Sequence, residues 1–192
     1  MAIELMDICK AYGANEVFSS FGCRIEEGAV TCFMGVSGVG KTTLLRLMLG
    51  LEQPDSGVIS GMHDRRKSVV FQEDRLCENL SAASNIRLVR RTQAAMGGIV
   101  EAMEAIGLGP ECAGQVVRGM SGGQRRRVAI LRALLADYDV LFMDEPFMGL
   151  DVETKDKVMF YTKERCLGKT VILITHDEEE CNIMDGSVIR LT

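Results

Sequence analysis

The stretch Gly35–Thr43, GVSGVGKTT, constrains this chain more than any other. It fits the pattern G-x-x-x-x-G-K-[S/T], which works where a strand ends and a helix begins. Glycines let successive backbone N–H groups converge on anionic oxygens, and the helix start adds the positive end of its dipole. The flanks agree: Val30–Met34 is a short apolar run, and Leu44, Leu45, Met48, Leu49 and Leu51 follow at helical spacing. A strand-loop-helix unit of this kind cradles phosphate. Gly35, Ser37, Gly38, Gly40, Lys41, Thr42 and Thr43 are its candidate contacts, with Lys41 reaching the β- and γ-phosphates and the Thr42 hydroxyl ligating Mg²⁺. Kinases, GTPases and motor proteins share the loop, so alone it fixes a nucleotide-binding fold and no more.

Further short apolar runs, VVF at 69–71, DVLFMD at 139–144 and TVILIT at 170–175, suit strands covered on both faces of a mainly parallel sheet. SVIRLT, at 187–192, reads as a final strand. Between Glu73 and Val117 helix formers replace strand-like runs, which predicts an inserted helical subdomain over 73–117 within a single domain whose core is 1–72 and 118–192. Gly97 and Gly98 are expected to break one helix there, and GLGPE at 107–111 to close another.

Composition narrows the function classes. A net charge of -5 lacks the basic footprint of a nucleic-acid binder. Arg125, Arg126 and Arg127 form the one notable basic run; it reads first as a solvated helix face, with a phosphate-facing or partner-facing role as the alternative. Seven cysteines form no C-x-x-C, and His63 and His176 stand over a hundred positions apart, so zinc is poorly served and a reducing cytosol is expected. The start, MAIELMDICK, lacks a signal-peptide core, and no apolar run approaches the ~18 residues that span a bilayer. Membrane work would have to go through a partner.

Two further stretches carry chemistry. In VLFMDEP (140–146) a buried strand ends on two carboxylates. Asp144 is suited to Mg²⁺, and Glu145 to taking a proton from an attacking water. MSGGQ (120–124) is a second anion cradle: Ser121 as N-cap, Gly122 and Gly123 as a tight turn, and a helix with Val128, Leu131 and Leu135 on one face. It has no lysine of its own.

With these motifs in this order the chain, from about Ile3 to Leu191, resembles the ATP-binding subunits of ABC transporters. MSGGQ is similar to the family's LSGGQ signature, with Met120 for Leu. The resemblance implies a P-loop (RecA-like) α/β core with a mainly parallel sheet, an N-terminal antiparallel β region and the helical insert. It implies that Ser121, Gly122, Gly123 and Gln124 close over the γ-phosphate held by Lys41 of a second subunit, a copy of this chain or a related ATPase. Gln72 resembles the Q-loop glutamine that contacts Mg²⁺ and the attacking water, and His176 the switch histidine on the γ-phosphate. Asp151 resembles the D-loop aspartate, next to a Gly149 that is often Ala in the family. Tyr12 resembles the aromatic that stacks on adenine.

The implied function is a cytoplasmic ATPase using ATP and Mg²⁺, held at the inner face of the cell membrane by permease subunits, with a substrate-binding protein if it is an importer. Residues 69–89 are similar to the nitrate, sulfonate and taurine importer group. The alternative is a non-transport ABC ATPase, for example in cofactor assembly.

Overall fold

The computed structural model describes residues 2–89 and 96–192, and the side chains of these other than Met96 and Gly97. In chain order the strands are β1 (Ile3–Tyr12), β2 (Asn15–Ile25), β3 (Val30–Met34), β4 (Ser56–Ser60), β5 (Lys67–Val70), β6 (Val140–Asp144), β7 (Thr170–Ile174) and β8 (Ser187–Arg190). The helices are α1 (Lys41–Leu49), α2 (Ala82–Arg87), α3 (Met96–Ala105), α4 (Gly122–Leu134), α5 (Val152–Cys166) and α6 (Glu178–Ile183). The apolar runs form a five-stranded parallel sheet in the order β5-β6-β7-β3-β8, and β2-β1-β4 form a separate antiparallel sheet.

Strand side chains alternate between faces, and this sorts the core into two layers. Phe33, Phe142, Ile172 and Ile174 pack with Leu44, Leu45 and Met48 of α1 and with Ile3, Ile8 and Phe18 of the antiparallel sheet. Cys32, Leu141, Met143, Val171 and Leu173 pack on the other side with Ile86, Met103, Val128, Leu131 and Val158, which come from α2 to α5. Because both faces are covered, β6 and β7 are buried along their whole length. Removing one of these large side chains, as in Phe142→Ala, costs about 3–5 kcal/mol.

The helical stretch after the β5 loop also forms: α2, α3 and two 3-10 turns, Pro110–Ala113 and Val117–Gly119, lie there, with residues 90–95 of the expected helical region outside the described residues. An isolated bridge between Ser81 and Val116 ties the two ends of this region together. Gly97 and Gly98 do not break a helix. Both lie within α3. Gly107, at φ 77°, closes α3 as expected, its N–H donating to the Glu104 carbonyl. Leu51 is likewise not part of the α1 core face; α1 ends at the left-handed Gly50 and Leu51 is 60% exposed.

Candidate functional site

In an open parallel sheet, ligands are held beyond the carboxyl ends of the strands. Here Asp144 lies beside Ile174, and Ile174 beside Phe33, so the segments leaving β6, β7 and β3 emerge side by side. They deliver Glu145, His176 and the Gly35–Gly40 loop to one place. A cavity of about 560 Å³ is lined there by Gly35, Val36, Ser37, Gly38, Gly40, Lys41, Thr42, Thr43, Gln72, Asp144, Glu145, Met148 and His176.

The loop's glycines are sterically required at two points. Gly40, the N-cap of α1, sits at φ 105°, and a Cβ there would lie 2.5 Å from Val17 Cγ1. A Cβ on Gly35 would meet Val39 Cγ1 at 2.8 Å and the Leu191 carbonyl at 2.9 Å. The Lys41 ammonium curls back under the loop, donating to the carbonyls of Gly35 (2.6 Å) and Val36 (3.1 Å). A cation and a helix N-terminus therefore face the same cavity, a setting for anionic oxygens.

Opposite stand the acids. Asp144 is 3% exposed, and burial, together with the neighbouring Glu145 charge, raises its pKa against the opposing pull of Thr42, Arg126 and Lys41. Its Oδ2 accepts from the Thr42 hydroxyl at 3.4 Å. A desolvated carboxylate with a hydroxyl beside it and the Gln72 amide in the same cavity is an all-oxygen donor set, and that fits Mg²⁺. Glu145 has φ 47°, a left-handed conformation costly for a residue with a Cβ, and its N–H donates to the Ile174 carbonyl at 2.9 Å. Both its carboxylate oxygens meet His176 Nδ1, at 3.0 and 2.9 Å, and that contact holds the histidine pKa up.

Other expected site residues lie elsewhere. Ser121 caps α4: its hydroxyl accepts from the Gln124 N–H and the Gln124 side chain accepts from the Ser121 N–H, a complete capping box. Neither it nor Gly122, Gly123 or Gln124 lines the cavity that holds Lys41. Asp151 caps α5 by accepting from the Thr154 N–H at 3.0 Å, and it too is outside the cavity. Gly149 adopts φ 80°, which accounts for glycine at this position. Tyr12 is 46% exposed at the end of β1; its hydroxyl donates to Glu52, and it is not among the cavity-lining residues.

The basic run is not a solvated face throughout. Arg126 is buried at 5% exposure because it satisfies carbonyls from two loops, while Arg127 donates to Ile106, Gly107 and Gly123 carbonyls. Sequence reasoning also passed over Lys155, which pairs with Asp177 (2.6 Å) and Glu180 (2.7 Å). Glu180 in turn accepts from the Thr175 hydroxyl, so the residues on either side of His176 are anchored. In sequence these are ordinary charged residues on amphipathic helices; only the tertiary fold reveals what they meet.

The site agrees with what the chain is similar to. The family model described as "ABC transporter" matches residues 18–148. A sulfate/thiosulfate import ATP-binding protein of Chromobacterium violaceum is 38% identical, over 95% of this chain and 54% of the relative. An aliphatic sulfonates import ATP-binding protein of Rhodococcus jostii is also 38% identical, over 100% of this chain and 80% of the relative. The chain thus spans little more than half of the first relative's length and most of the second's. A bacterial ABC transporter cassette solved as a dimer superposes with a TM-score of 0.85 at 27% identity, over 98% of this chain and 94% of that one. The family model, the relatives and the superposed cassette agree, and the chain belongs to that family: this is an ABC transporter ATP-binding cassette.

Proposed function

We propose that two copies of this cassette, or one copy and a related subunit, enclose two ATP molecules head to tail and hydrolyse them to power a separate membrane permease. The observation that carries this reading is the separation of two complementary anion cradles. Lys41 and the acids share one cavity, while the capped N-terminus of α4, with Ser121, lies outside it. A lid that does not reach its own chain's phosphates is available to a neighbour's.

Within the site each residue has a role. The amides of Gly35, Ser37, Gly38, Gly40 and Thr43 hold the phosphates, and Lys41 neutralises the terminal ones. Thr42, Asp144 and Gln72 would hold Mg²⁺, which supplies charge neutralisation at the phosphate oxygens. Glu145 takes the proton of the attacking water. His176, anchored on Glu145, offers its remaining ring nitrogen to the γ-phosphate. From the second subunit Ser121, Gly122, Gly123 and Gln124 complete the oxyanion-stabilising shell, and Asp151 sits at the seam between subunits. Tyr12 stacks on the adenine once its hydroxyl leaves Glu52.

The relatives' roles as import ATP-binding proteins support import of a small solute, with sulfonate importers among them. The permease, and a binding protein delivering to it, select that solute and hold the cassette at the inner membrane face. No helix among the described residues is long and apolar enough to cross a membrane. Purification of the tagged chain in mild detergent tests the assignment: a polytopic permease should accompany it, whereas cofactor-assembly machinery in its place would refute transport. Initial ATPase rate should climb more steeply than protein concentration, and strict proportionality from a proven monomer would refute the shared site.

A further inference from the structure

Arg126 lies on α4 five residues past Ser121, and its guanidinium is aimed into the protein. Nη1 donates to the Phe71 carbonyl (2.6 Å), to the Gln72 carbonyl (3.2 Å) and to Asp74 Oδ1 (3.4 Å). Nη2 donates to the carbonyls of Asp144 (3.1 Å) and Glu145 (2.6 Å), and Nε to that of Pro146 (2.7 Å). The five N–H groups of a guanidinium, fixed in one plane, are thus spread over two loops, the one after β5 and the one after β6. One loop carries Gln72, the other Glu145, and both of those side chains line the nucleotide cavity.

A buried cation is expensive, and the carboxylate it pairs with, Asp74, sits at the long distance of 3.4 Å. Core packing alone does not call for such a group, since an apolar side chain would fill the space without that cost. What a guanidinium adds is direction. It gathers carbonyls from 71–72 and 144–146 into one plane, and it does so at the residue whose φ of 47° most needs external support.

We propose that Arg126 is a positioning residue for hydrolysis: by clamping the backbone after β5 to the backbone after β6, it holds Gln72 and Glu145 in mutual register across the cavity. It touches no reacting atom. This rests on the ATPase reading above, and it adds to it a dependence of the chemical step on a side chain outside the cavity. The phosphate loop receives none of its hydrogen bonds, so nucleotide affinity should be indifferent to it.

The test compares Arg126→Met and Arg126→Lys with the wild type in steady-state hydrolysis, in equilibrium binding of a fluorescent ATP analogue, and in circular dichroism. Arg126→Met should lower kcat by about 10²-fold, the scale of a misplaced catalytic group, with KM and analogue affinity within about threefold. Arg126→Lys, which restores a cation and some of the carbonyl contacts, should recover about tenfold of that loss, as one regained charged hydrogen bond would. A folded variant of either kind with kcat within threefold of wild type would overturn the proposal. So would loss of helical signal and analogue binding together in both variants, because that would make Arg126 a folding residue. A wild-type chain that binds the analogue but never hydrolyses ATP would instead sink the ATPase reading.

Discussion

At the scale of single residues, the site works by environment more than by composition. Glu145 and His176 hold each other, and their contact raises the histidine pKa, so imidazolium persists to higher pH in the folded chain than in the unfolded one. The stability this contributes is fully present below the unfolded value of about 6.5 and is lost as pH rises through the raised folded value. It is small, because the histidine side chain is 69% exposed. The clear readout is spectroscopic: in Glu145→Gln, the proton NMR titration midpoint of His176 should fall relative to wild type, and an unchanged midpoint would break the pairing. The same substitution should leave ATP binding intact and slow turnover by about 10² to 10⁴. A variant with full activity would remove Glu145 as the base.

At the scale of elements, caps and turns carry testable weight. Ser121→Ala should cost about 1 kcal/mol in chemical denaturation through loss of the N-cap. Gly149→Ala should cost about 1 kcal/mol through the left-handed backbone alone, since no heavy atom lies within 4 Å of the added Cβ. A stability equal to wild type would refute either account. The parallel strands were legible in the sequence because strands buried on both faces leave unbroken apolar runs: β3 forms over the expected residues, and β6 and β7 within one residue of their expected ends. The glycine pair at 97–98 misled, because glycine costs a helix only about 1 kcal/mol per residue, which the burial of Ile99, Ala102 and Met103 outweighs. Arg126 misled for the opposite reason. An arginine beside two others looks solvated until the carbonyls it meets, from loops more than 50 and about 20 positions away, are in place.

At the scale of the whole molecule, spacing along the chain gave the loop, the acids and the signature helix. The sheet order then explains why loop and acids converge and the signature does not, since β3, β7 and β6 are neighbours while α4 packs behind the sheet near α2 and α3. That exile of Ser121 from its own chain's cavity has a consequence for mixed populations. Under the head-to-tail pairing proposed above, a Lys41→Ala chain and a Ser121→Arg chain should each be silent alone, yet a mixed pair would place both lesions at one seam and leave the other seam whole. Equal mixing should therefore rescue roughly a quarter of wild-type turnover, given two-fold pairing at random. Two dead proteins that revive each other in one tube would mark catalysis as a property of the couple.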